Sequence, residues 1–217
     1  MGKEEGLKSE LVCSIIQFVR ENHPETIDKA YKYFWDENNP DEIMGGTALS
    51  LGFLNFEDWL IFDYKVNDEK ETFIDIYLRT HTLKERETEL LNKIKNSVIS
   101  LYEVSSVAKD KRIMLTDLLM NSEHPLRDKA LTRGLNKGDI FATRLLDLDG
   151  KTCMSGCVYP FTADQKKIVL NYVDKQFKRY TRNVNQNGTM REFLKDYGDV
   201  LNVIWMSLIM NPPAKNP

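Results

Sequence analysis

The densest set of groups that could move a proton or hold a divalent ion is a run of carboxylates, Glu57, Asp58 and Asp63, with Asp75 further on. Paired carboxylates do acid–base work when they share one target and their surroundings push their pKa values apart. On a helix, Glu57 and Asp58 point about 100° apart, and Asp58 and Asp63, five residues apart, also diverge. The spacing therefore reads as helix capping plus a solvated face, with carboxylate- or metal-dependent catalysis as an alternative. Thiol chemistry has three candidates, Cys13, Cys153 and Cys157. An odd, small number of cysteines is no disulfide scaffold and reads as reduced thiols. Cys13 falls on an apolar helix stripe, where a thiol is a small hydrophobe. Cys153 and Cys157, if on one strand, stand about 13 Å apart at 3.3 Å per residue, too far for one tetrahedral ion, unless a bulge at Gly156 changes the geometry. His23, His81 and His124 form no ligand pair. There is no GxSxG, GxGxxG or GxxxxGK[ST] pattern. No catalytic residue, metal site or cofactor is assigned.

Two further constellations point to binding. Trp59, Phe62 and Tyr64, with Phe53 and Phe56, form an aromatic mass that reads as core or as a partner groove. Lys109, Lys111, Arg112, Arg127, Lys129, Arg133, Lys137 and Arg144 punctuate a strand-rich region, interleaved with Asp110, Asp117, Asp128 and Asp139. Small barrels with basic faces hold single strands through phosphate contacts and aromatic platforms. The region offers few aromatics, and the chain's net charge of −3 runs against a basic footprint. That charge is divided, however. Residues 1–100 carry 12 Lys/Arg and 20 Asp/Glu, and residues 101–217 carry 18 and 13. One half can attract the other or face a partner.

These groups need elements to position them. With 41% hydrophobic residues the 217-residue chain can bury a sizeable core. Leu7, Leu11, Val12, Ile15, Ile16 and Val19 predict a helix over 4–21, and Pro24 opens a second to about residue 37. Residues 41–54 are ambiguous because of Gly45, Gly46 and Gly52. Asn55 can cap a helix through Tyr64, and 72–79 is a short helix. Thr82 and Glu85 form a capping box for a helix to about Ser100. Strands follow at 102–108, 112–119, 140–148 and 151–159, with Asp149-Gly150 as the clearest hairpin turn and Pro160 ending the sheet. Thr162/Gln165 and Thr189/Glu192 are capping boxes for two more helices, the second ended by Pro212-Pro213. The fold class expected is α+β: an N-terminal helical layer (1–100, acidic), a small antiparallel β sheet or barrel (101–161), and C-terminal helices (162–217) packing back, as one compact unit.

Four segments carry a resemblance: FEDWLIFDY at 56–64, SLYEV at 100–104, LTDLL at 115–119 and KGDI at 137–140. Their order resembles a group of uncharacterised bacterial proteins, some of which carry a C-terminal Cys-rich SEC-C segment. The resemblance covers roughly residues 50–160 and implies no activity. The chain departs from the SEC-C pattern, since Asn211–Pro217 holds no cysteines, so no metal role carries over.

The starting stretch, Met1 to Leu11, is acidic and polar and no apolar run reaches about 18 residues, so neither signal peptide nor membrane span is expected. The sequence reads as a non-catalytic cytoplasmic interaction or adaptor module with a protein partner. Its binding candidates are Trp59, Phe62, Tyr64, Lys111, Arg112, Arg127, Lys129 and Arg144. The alternatives are a nucleic-acid-associated protein acting through the basic β unit, and a carboxylate- or metal-dependent enzyme using Asp58 and Asp63.

Overall fold

The computed structural model describes residues 2–212 and has the expected α+β architecture, with ten helices and six strands among them. Helix α1 (Lys3–Asn22) buries Leu11, Ile15 and Val19, the centre of the predicted stripe, and leaves Cys13 in solvent. The apolar-face reading of Cys13 is thus corrected: it lies just off the buried line. Helix α2 (Pro24–Phe34) starts on its proline, and α3 (Pro40–Ile43) is one turn capped by Asn39.

Helix α4 (Gly46–Phe62) then runs through the region the glycines left ambiguous. Gly52 is there for closeness rather than flexibility. A Cβ at this position would come within 2.5 Å of the buried Trp35 ring. Gly52→Ala is therefore expected to destabilise by about 1–3 kcal/mol, because overpacking outweighs the roughly 1 kcal/mol gain in helix propensity. Urea denaturation measures it, and an unchanged or raised midpoint would contradict this packing.

Helix α5 (Phe73–Thr80) is opened by a Thr72/Asp75 capping box. Helix α6 (Glu85–Lys95) is capped two residues later than predicted: Lys84 N donates to the Glu87 carboxylate at 2.8 Å. It also ends earlier, because Ile99 and Ser100 already belong to a strand.

The strands are β1 (Ile99–Ala108), β2 (Arg112–Asp117), β3 (Ser122–Leu126), β4 (Ile140–Leu148), β5 (Lys151–Met154) and β6 (Tyr159–Phe161). A four-residue helix, α7 (Leu131–Gly134), joins β3 to β4. The order β1-β2-β3-β5-β4, with β4 returning to β1, closes a five-stranded barrel. It is antiparallel except at one seam, where β3 runs parallel to β5 through the single pair Leu126–Thr152. Asp149 and Gly150 take φ of 50° and 68°, the left-handed pair that the β4–β5 hairpin demands. Strand β6 pairs with the first half of β4, and its Pro160 lies inside the sheet rather than beyond it.

Period-2 alternation sorts the barrel's residues. Tyr102, Val104, Ile113, Leu115, Leu126 and Phe141 point inward and form a core of their own. The opposite faces of β1 and β4, including Ile99, Leu101, Ile140, Ala142, Leu146 and Leu148, join the large core of the helices. One side of the barrel is thus mounted on the helical layer.

The C-terminal helices complete the mount. A short 3₁₀ turn (Ala163–Gln165) leads from Thr162 into α8 (Lys166–Asn183). The predicted last helix is two, α9 (Met190–Asp196) and α10 (Val200–Met210). The break falls at Gly198, which packs directly on Asp63. Helix α10 ends before Asn211, and Pro213, the second half of the predicted stop, lies outside the described residues. No helix of the described residues is long and apolar enough to cross a membrane.

Candidate functional site

The carboxylates Asp58 and Asp63 do converge, on Arg144. Positions 140, 142, 144, 146 and 148 of β4 face the helices, so Arg144 leaves the barrel and enters the helical core with its side chain fully buried. Its Nε donates to Asp58 Oδ1 at 2.9 Å, and its Nη1 donates to the Ser97 carbonyl at 2.8 Å and to Ser97 Oγ at 3.2 Å. Its Nη2 donates to Asp63 Oδ2. The guanidinium carbon lies 5.1 Å from the centroid of the Phe62 ring. Lys195, on α9, donates to Asp63 Oδ1 at 2.9 Å and to the Phe62 carbonyl at 2.8 Å.

Two sequence readings are corrected here. Arg144 was read among the nucleic-acid contacts, but it is 0% exposed and its fork is filled by the protein. Asp58 and Asp63 were read as divergent and solvated. The divergence holds only while both are helical. Asp63 is the residue after the helix, at φ −131°, and this turn swings its carboxyl under Arg144.

The electrostatics fit a structural hub. Burial pushes the Asp63 carboxyl up, but Arg144 and Lys195 outweigh it, and the net shift is downward. Burial works against the Arg144 charge, yet Asp58 and Asp63 hold it above its ordinary range. Lys195 is shifted down by burial, only partly countered by Asp63 and opposed by Arg144. For a carboxyl depressed on folding, the stabilisation is present above the unfolded pKa of about 3.9 and fades as pH falls through the lower folded value. Wild type is therefore expected to lose stability on acidification below about pH 4 more steeply than Asp63→Asn. Urea midpoints at a series of pH values measure this, and parallel curves would contradict it.

Beside the hub lies a cavity of about 290 Å³ between α1 and α4, lined by Asp58, Phe62, Cys13 and Cys157 among others. Its buried thiol is a poor nucleophile, since burial, with Asp58 nearby, pushes Cys157 up to about 12. Cys157 also accepts a hydrogen bond from Ser155 Oγ at 3.3 Å. Tyr159, wholly buried next in line, has no hydrogen-bond partner for its hydroxyl among the described residues. Among those residues no group of three His, Cys, Asp or Glu side chains could hold a metal ion.

Trp59 and Phe62 are core residues, each 3% exposed, and Tyr64 is half-buried with its ring edge-on to Trp59. As binding residues Trp59 and Phe62 are corrected by that burial: the inward face of α4 carries them into the core. Lys111, Arg112, Arg127 and Lys129 are all exposed, on the β1–β2 hairpin and the β3–α7 loop. Ser97 and Lys195, essential to the hub, had no sequence signal, for Lys195 lies 132 residues from Asp63.

In comparisons with known proteins, the model of a family of unknown function, DUF7986, matches residues 52–198, about two-thirds of the chain. That stretch holds the whole barrel and every residue of the hub. No curated protein and no solved structure matches.

Proposed function

We propose that this chain, which belongs to the DUF7986 family, is a non-catalytic cytoplasmic interaction module: a small barrel held in fixed register on a helical layer and presented to a partner. The observation that carries this reading is the closure of the Arg144 hub. The richest convergence of charge among the described residues is consumed internally, with the guanidinium fork, both Asp63 oxygens and the Lys195 ammonium committed to one another. A catalytic carboxylate needs access to substrate and a pKa near its working pH. Asp63 is 4% exposed and shifted the other way. What remains outward is surface: exposed loops of the barrel and shallow grooves between helices.

Two measurements test it. Tagged protein captured from its native lysate, with and without nuclease, is expected to bring down a partner in at least one arm. A panel of nucleotides, esters and peptides is expected to show no turnover. Turnover that disappears in Cys157→Ser or Tyr159→Phe while the melting temperature stays at the wild-type value would defeat the reading.

A further inference from the structure

We infer that the loop end of the barrel at the β3–β5 seam binds the phosphodiester backbone of single-stranded nucleic acid through Arg127, Lys129 and Lys151. The inference rests on the binding-module reading and names the partner's chemistry. The parallel pair Leu126–Thr152 brings the end of β3 to the start of β5, so that Arg127, just past β3, and Lys151, at the start of β5, stand diagonally across the seam on one face of it. Both, with Lys129, line a polar cavity of about 570 Å³, within the range of about 300–1,000 Å³ usual for ligand sites. None of these three cations takes part in an ion pair among the described residues.

The cavity also has three acids, Glu5, Asp128 and Asp149, and hydrogen bonds fix where they point. Asp128 accepts from the N–H groups of Ala130 and Leu131, at 2.7 and 3.2 Å. Asp149 accepts from Glu4 N at 2.9 Å, and Glu5 accepts from Gly2 N at 3.2 Å. Each acid keeps its charge but is turned onto backbone donors, while the N–H groups of Arg127, Lys129 and Lys151 are the donors free to meet a ligand's oxygens.

The track extends beyond the cavity, and this favours a strand over a small anion. The β1–β2 hairpin, carrying Lys109, Lys111 and Arg112, is docked on α7: Asp110 N donates to Thr132 Oγ1 at 3.0 Å, and Arg133 pairs with Asp110. Residue 131 of α7 in turn lines the cavity. Exposed cations therefore run from one hairpin to the other.

The strand face itself is a poor platform. In five-stranded Greek-key barrels that bind oligonucleotides, the ligand lies across strands 2 and 3. Here the outward residues of β2 and β3 are Arg112, Met114, Thr116, Glu123 and Pro125, with no aromatic ring. Binding then comes from phosphate contacts at the loops, without base stacking or sequence preference.

Fluorescence anisotropy with labelled oligo-dT and oligo-U of about 16 nucleotides tests the inference. Three phosphate contacts on a single strand give a log–log salt slope of about −2, so raising salt from about 50 to 200 mM weakens binding about 20-fold. The triple variant Arg127→Gln, Lys129→Gln, Lys151→Gln changes only exposed side chains. It is expected to lose about tenfold or more in affinity and most of the slope. A control, Lys167→Gln, Lys175→Gln, Arg182→Gln on exposed positions of α8, removes equal charge and is expected to bind as wild type.

Three results would overturn the inference. One is absence of binding at about 100 µM protein, the weak end of non-specific affinity. Another is equal weakening in the triple and control variants. The third is inorganic phosphate or a mononucleotide binding as tightly as the oligonucleotide, which marks a small-anion pocket. None of these touches the module reading, which the lysate capture and the turnover panel test separately.

Discussion

Arg144→Ala is expected to destabilise the protein by about 3–5 kcal/mol, the cost of breaking a buried ion pair from one side. At this chain length that lowers the melting temperature by about 6–20 °C. The effect is large because Arg144 does several things at once. Its Nε, Nη1 and Nη2 serve Asp58, Ser97 and Asp63, and its plane lies near the Phe62 ring. Removing it leaves Asp63 buried beside Lys195 alone and orphans the Ser97 carbonyl. Arg144→Lys keeps the charge but loses the fork, so it is expected to recover only part of the loss. Thermal and urea unfolding of the three proteins measure this ordering. Wild-type stability in Arg144→Ala would mean the guanidinium is not where the structure puts it. Lys195→Met should cost less than Arg144→Ala, because the lysine is already held below its ordinary pKa by burial.

Asn55→Ala is expected to cost about 2–4 kcal/mol, through a different device. Asn55 is a wholly buried polar residue in the middle of α4. Its Nδ2 donates to the Val158 carbonyl at 2.9 Å, and its Oδ1 accepts from Val158 N at 2.7 Å. One side chain thus stands in for a neighbouring strand just before β6, where Val158 has no ladder partner. Alanine strands both backbone groups and leaves a void. Asn55→Asp keeps the acceptor but sets a carboxylate against the Val158 carbonyl, and is expected to be at least as damaging. The local signature is faster amide exchange at Val158 to Phe161 in Asn55→Ala than in a variant of matched stability, such as Gly52→Ala. Equal exchange in the two would contradict the anchoring role.

Residues with local signals were legible in the sequence. The Leu11, Ile15, Val19 stripe of α1, the Asp149-Gly150 turn and the Thr162 and Thr189 capping boxes each state their own geometry within a few residues. The misses share a cause, which is dependence on distant partners. Asn55 looked like a helix cap because asparagine caps well. Only contact with Val158, 103 residues away, shows why it sits inside a helix. Strand β3 (SEHPL) has a proline and a histidine and no clean alternation, and it is made a strand by its ladder with β2. Gly198 gave no warning that the last apolar run would break there to make room against Asp63.

The candidate site divides in the same way. Lys111, Arg112, Arg127 and Lys129 were legible as surface cations, because charge in a turn is exposed wherever the turn goes. Lys151 joined them only through the parallel seam. Arg144 was misread because its composition matched theirs while its parity on β4 did not. Once the barrel closes, that parity turns it toward α4. Asp58 and Asp63 were the right pair for a site, but the chemistry they serve is the holding together of two layers.

The most direct test of the central claim, that the buried charges mount the barrel instead of serving a reaction, is a double-mutant cycle between Arg144 and Asp63. Arg144→Ala, Asp63→Ala and the double variant are compared with wild type by urea unfolding. The double variant removes one charge of each sign and leaves Asp58 and Lys195 balanced. The account predicts that it is more stable than Arg144→Ala, with a coupling of about 1.5–3 kcal/mol. Costs that add to within about 0.5 kcal/mol would show that the two groups do not share a hub.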